Sequence, residues 1–149
     1  MRELLARIGL LFLTFSQLFT GIWAALDPKG WYLHFPGMGT GWVQASSAYD
    51  AHFVRDVAYF FIAFGVLFAI AIWAADRRLR IAACVAWFFF AVPHFLYHLT
   101  NRGTMSTGQN LLSLEVLALE IAVPIGVIIL SALQAATSSD TESADEASG

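Results

Sequence analysis

The sequence predicts an all-α fold: a four-helix transmembrane bundle with both termini cytoplasmic and a long aromatic outer loop between helices 1 and 2. Three observations predict it. Four apolar runs are each close to the roughly 20 residues that a helix needs to cross a bilayer. The chain is 58% hydrophobic and 13% charged. A soluble domain carries roughly 25% charge, so this chain lacks the polar groups to cover a globular surface. Arginines gather at one side of the runs, as the positive-inside rule requires of a cytoplasmic face.

The first span is expected near residues 4–26. A signal peptide is the rival reading. Its apolar stretch over residues 8–26 is too long for a signal core, and no small-x-small cleavage site precedes Asp27-Pro28. The connection over residues 27–51 follows. It holds Trp31, Tyr32, His34, Phe35, Trp42 and Tyr49, with Gly30, Gly37, Gly39 and Gly41 between them. Such aromatics form an interfacial belt at headgroup level, or a lid over a site at the outer helix ends, since long structured loops are often functional. The run Gly37-x-Gly39-x-Gly41 neither follows a strand nor precedes a phosphate-binding Lys, so it is no nucleotide motif.

The second, third and fourth spans are expected near residues 52–75, 81–100 and 111–133. Arg77, Arg78 and Arg80 fill the turn between the second and third. With Arg2 and Arg7 they make five basic residues on one side, against Lys29, Arg55 and Arg102 on the other. The membrane domain covers residues 1–135. The tail over 136–149 carries Asp140, Glu142, Asp145 and Glu146 among Ser and Thr, without apolar period, and is expected to be disordered. These acids account for the net charge of −3. The remainder is about neutral, and no basic patch suggests nucleic acid. Cys84 is the only cysteine. It excludes an intrachain disulfide and a CxxC pair, and reads as a small buried hydrophobe.

Titratable side chains are unfavourable in hydrocarbon, so each needs a partner or a purpose. All four histidines map to the outer side. His52 and Asp56 are four apart on the second span, and His94 and His98 on the third, so each pair shares a helix face. Asp56 and His98 both lie about 21 residues from the centre of the arginine turn. His94 and Glu115 lie about 10 residues either side of Met105. At about 1.5 Å rise per residue, each pair is level in an antiparallel hairpin. Short connections make the second, third and fourth spans expected neighbours. His52, Asp56, His94, His98 and Glu115 are therefore the candidate binding set of one outer-leaflet pocket. Arg55, beside Asp56, is expected to reach headgroups or an outer-loop acid. Glu120 is separate: it lies about 140° round the helix from Glu115 and near the midplane, with Ser113 and Pro124 close to its face and Gln17 of the first span at similar depth. It reads as an interhelical hydrogen bond, a proton relay or a polar anchor.

Several chemistries suit this set. His52, His94 and His98 could ligate a transition metal such as zinc or iron, with Asp56 and Glu115 as oxygen ligands. HExxH and ExxH are absent, so the signal is unspecific. Haem held by His52 with His94 or His98 is a weaker reading, because two carboxylates share the pocket. Metal-free acid–base work on a lipid-soluble substrate, or proton passage, needs only His beside Asp. Alternatively, Asp56–His98 and Glu115–His94 bonds only fix helix order, at about 0.6 kcal/mol each. The preferred reading is a multi-pass protein of the cell membrane whose outer-leaflet pocket binds a metal or a small lipid-soluble ligand, with catalysis left open. The alternative is a non-catalytic accessory subunit.

The runs Ala-Tyr-Asp-Ala-His-Phe-Val-Arg-Asp-Val at 48–57 and Val-Pro-His-Phe-Leu-Tyr-His-Leu at 92–99 carry a resemblance. The chain resembles, over about residues 30–130, small four-span bacterial membrane proteins of actinobacterial type. Their pattern is Tyr-Asn-Glu-His-(Phe or Leu)-Val-Arg-Asp-Val-Gly and then Pro-His-x-x-x-His. This chain departs at Asp50-Ala51 and at Ala58. The resemblance implies the four-span architecture and marks His52, His94 and His98; it brings no activity with it.

Overall fold

The computed structural model describes residues 1–37 and 41–148, with side chains described as far as Leu133. The tail expected to be disordered, from residue 136, thus lies outside the residues described in full. All described elements are helices: α1 (Arg2–Leu26), α2 (Pro28–His34), α3 (Trp42–Ser46), α4 (Ala51–Ala74), α5 (Arg77–Thr100) and α6 (Thr107–Ser148). Among the described residues four helices are long and apolar enough to cross a membrane: Arg2–Leu26, Ala51–Ala74, Arg77–Thr100 and Thr107–Leu133. Their apolar residues face outward as well as inward. Trp73 is 87% and Phe89 83% exposed, whereas Gln17, Arg80, Glu120 and Ser131 are buried. Water would penalise such a surface; acyl chains match it. The chain is therefore read as an integral membrane protein.

Local chemistry sets the helix starts. Asp27 caps α2 by accepting from the Gly30 N–H at 2.9 Å, with Pro28 in the first turn. Asp76 accepts from the Leu79 N–H at 2.7 Å, and this cap starts α5 at Arg77. The arginines expected in a turn are instead the first turn of α5. Ser106 and Gln109 exchange reciprocal bonds, Ser106 N–H to Gln109 Oε1 at 2.9 Å and Gln109 N–H to Ser106 Oγ at 3.3 Å. That capping box starts α6. Asp50 caps α4, accepting from the N–H groups of His52 at 2.8 Å and Phe53 at 3.0 Å. Those backbone bonds, Phe53's first, hold the Asp50 carboxyl below the usual carboxylate range.

The long helices run up and down. Arg80 of α5 bonds Glu3 of α1, and Arg2 reaches the Leu133 carbonyl of α6, so the N-terminus, the α4–α5 turn and residue 133 share one end. At the other end the Thr104 N–H donates to the Ala45 carbonyl at 2.9 Å, joining the α5–α6 turn to α3. The consecutive spans α4, α5 and α6 are neighbours, as expected. The helices contact in the order α1–α4–α5–α6 and back to α1, with α1 on α4 the most extensive contact and α4 on α5 the thinnest. The neighbour that α4 packs against most is thus α1, not α5, despite the short α4–α5 turn. Glycines explain this. A Cβ on Gly21 would lie 2.7 Å from the Ala58 carbonyl oxygen, so α1 and α4 meet backbone to backbone. On α5, the bulky Trp87 and Phe90 stand between helices and pack on Phe60 and Phe61 of α4. They hold α4 and α5 apart.

Candidate functional site

The gap left by that thin contact is a cavity of about 400 Å³. All four long helices line it, and α2 and α3 close the end away from the termini. Trp31 of α2, Phe35 just after it, and Trp42, Val43 and Ser46 of α3 are in its wall. The loop aromatics are therefore part of the site's lining and not solely a belt. Trp31 and Tyr32 are buried, and Tyr32 Oη donates to the Ser47 carbonyl at 2.9 Å. Lys29 Nζ lies 4.2 Å from the Tyr49 ring centroid, outside the cavity. Gly41 is required by the same closure, since a Cβ there would run into the Leu33 carbonyl.

One wall is an aromatic ladder along α5. The Phe90 and His94 rings stack at 4.9 Å, 20° from parallel. His94 meets His98 edge-on at 4.7 Å, and His98 meets Tyr97 at 5.4 Å. Among the described residues no side-chain hydrogen bond reaches either histidine. Nδ1 of His98 and Nε1 of Trp31 are buried without a partner there. A buried polar group left unpaired costs about 1–3 kcal/mol, and both residues line the cavity.

The opposite, deeper end is polar but satisfied. Glu120 of α6 accepts from Gln17 Nε2 at 2.8 Å and from the Ser16 hydroxyl of α1. Trp87 Nε1 donates to the Glu120 backbone carbonyl at 3.0 Å. Gln17 thus stands at the depth expected, and Ser113 and Pro124 are buried on the same face as Glu120. One cavity runs past both Glu120 and the histidines. Gln17 and Thr20, three apart, and Ser16 form a polar stripe in an otherwise apolar span; that stripe is the signal that could have paired α1 with Glu120.

The expected convergence of five residues is corrected. The structure brings together His94 with His98, and separately His52 with Asp56. The His52–Asp56 contact is 3.6 Å, with side chains 87% and 62% exposed, and neither residue lines the cavity. Glu115 is exposed and lies outside the lining. The register arithmetic levels Asp56 with His98 and His94 with Glu115, but helix rotation turns His52, Asp56 and Glu115 outward. Among the described residues no group of three or more His, Cys, Asp or Glu is placed to hold a metal ion. The proposed zinc or iron ligands His52, His94 and His98 therefore do not form a centre. For haem, His52 lies outside the lining that holds His94 and His98. Cys84 is buried, as expected.

No protein-family model, curated protein or solved structure matches the chain. Function must be argued from the cavity itself.

Proposed function

We propose that this integral membrane protein binds a small lipid-soluble molecule in the cavity between its four spans, in the outer leaflet of the cell membrane. One observation carries the reading. A cavity of about 400 Å³, within the usual range of ligand sites, is walled by aromatics, and its lining residues Trp31 and His98 each carry a buried, unpaired ring nitrogen. The excess of arginine at the end with the termini supports the outer placement. In this reading His94 and His98 orient the ligand or exchange protons with it, and catalysis is one use of such a pair. The likeness of the HFVRDV and PHxxxH segments to small four-span bacterial proteins belongs to the same proposal.

The alternative, an accessory subunit whose polar groups only order helices, is favoured at one place. Glu120 is fully engaged by Ser16 and Gln17, which suits a packing role. The histidines lack such partners. Solvent extraction of the detergent-purified protein followed by mass spectrometry tests the reading. A stoichiometric apolar molecule that leaves with His94→Ala is the expected result. Neither a co-purifying molecule nor saturable binding of any apolar probe would leave the accessory role standing.

A further inference from the structure

We infer that the ligand of this cavity is a neutral, flat, ring-bearing carbonyl compound of the quinone class. The inference rests on the cavity being a ligand site and narrows what it takes. Charge comes first. The lining contains no Lys or Arg among the described residues, so a carboxylate or phosphate would meet no permanent positive charge, in a low-dielectric setting where that is strongly unfavourable. The one lining acid, Glu120, is engaged by Ser16 and Gln17, so a cationic amine has no free carboxylate either. Fatty acids, phospholipid headgroups and amines are all mismatched.

Shape and polarity then point to the ring. Phe90 and His94 present nearly parallel ring faces in one wall, and Trp31, Phe35 and Trp42 close the loop-bearing end. Aromatic walls favour an offset-stacked flat ring over a flexible acyl chain. The indole N–H of Trp31 can only donate. Buried and unpaired, it calls for an acceptor on the ligand, which a ring carbonyl supplies. His98, with an unpaired ring nitrogen, and His94 can donate to a carbonyl or accept from the hydroxyl of its reduced form. Glu120 marks the far end, beyond Trp87, where an apolar ring substituent would run along Val57, Phe61 and Leu117.

The test is equilibrium dialysis of the full chain in detergent, with empty micelles as the partition control, using three probes. Tetramethyl-1,4-benzoquinone represents the ring, 2-tridecanone a straight-chain carbonyl, and palmitate an anion. The quinone is expected to bind saturably and at least tenfold more tightly than the ketone, with palmitate no better than the ketone. Trp31→Phe keeps a ring and removes the N–H, and should weaken quinone binding about tenfold. Equal binding of quinone and ketone, or stronger binding of palmitate, overturns the inference while leaving a ligand site. Unchanged quinone affinity in folded Trp31→Phe also overturns it. If that variant does not fold, the three-probe comparison on the unmodified chain decides alone. No saturable probe at all would remove the ligand-site reading as well.

Discussion

Arg80 at the start of α5 donates from Nη1 and Nη2 to the two carboxylate oxygens of Glu3 on α1, both at 2.7 Å. The Arg80 side chain is 1% exposed and that of Glu3 43%. This bidentate pair ties the two helices at the end opposite the cavity, where α1 and α5 have no other extensive contact. Glu3→Ala would leave a buried guanidinium unpaired. Losses of roughly 3–5 kcal/mol follow when a fully buried pair is broken. Partial exposure of Glu3 screens this one, so a loss of about 1–3 kcal/mol is expected. Arg7 also bonds Glu3 at 2.7 Å but is half-exposed, so Arg7→Ala should change stability by less than about 0.5 kcal/mol. Denaturant titration in micelles compares the two; equal losses would contradict the assignment.

Glu120 should behave as a packing residue. Glu120→Gln keeps the size and an acceptor, and rotation of the Gln17 amide can restore the second bond, so little change is expected. Glu120→Leu strands the Gln17 amide in the core. The expected loss is about 1–2 kcal/mol, from an unpaired buried amide moderated by the weak hydrogen bonds typical of membrane interiors. The same unfolding measurement reads it. A larger loss in Glu120→Gln than in Glu120→Leu would mean the carboxyl itself matters.

Span number and class were legible because bilayer thickness demands a minimum apolar length, and four runs meet it. Helix starts were less so. Arg77 to Arg80 look like a turn until Asp76 is recognised as the cap that folds them into α5. Site composition was legible in depth and not in azimuth. Gln17 and Glu120 were placed at one level, and they bond. By count along the helices Asp56 is level with His98 and Glu115 with His94, yet both face outward, as does His52. Spacing along a helix fixes which residues share a face, but not which way that face turns. That is decided by close contacts such as Gly21 on Ala58, whose partners lie far apart in sequence.

That contact makes its own prediction. A Cβ at Gly21 would lie 2.7 Å from the Ala58 carbonyl oxygen and 2.8 Å from Ile62 N, both backbone. A Cβ at Gly65 would meet Leu18 Cδ2 and Cγ at 2.7 Å, which rotation of that side chain can relieve, and the Leu18 backbone N only at 3.2 Å. Gly21→Ala is therefore expected to destabilise by about 1–3 kcal/mol through overpacking. Gly65→Ala should cost less, since Ala also gains up to about 1 kcal/mol in helix propensity. Melting temperatures of the two variants in one detergent give the order, and a reversed order would show that α1 and α4 do not meet at Gly21.

His52→Ala removes an exposed side chain whose ion-pair partner, Asp56, is also exposed. Stability should change by no more than about 0.5 kcal/mol, and ligand affinity should not change. Elemental mass spectrometry of the purified protein should find no stoichiometric zinc or iron that depends on His52. A metal present at one per chain and lost in His52→Ala would restore the three-histidine centre.

Acid should act on α4 through Asp50. Its carboxylate accepts from the Phe53 and His52 N–H groups, and these bonds lower its pKa in the folded protein. For a depressed acid, the stabilisation is fully present above the unfolded pKa, about 3.9 for Asp. It falls away as pH drops from there through the lower folded value. Asp50→Asn keeps a capping oxygen and cannot ionise, so its stability should lack this acid-dependent component. Asp50→Ala removes the cap and should lie below the unmodified chain at neutral pH, with the gap to Asp50→Asn independent of acid. Thermal unfolding followed from pH 7 to about pH 3 separates these curves. If the unmodified chain and Asp50→Asn fall in parallel across that window, the acid response arises elsewhere and Asp50 does not carry it.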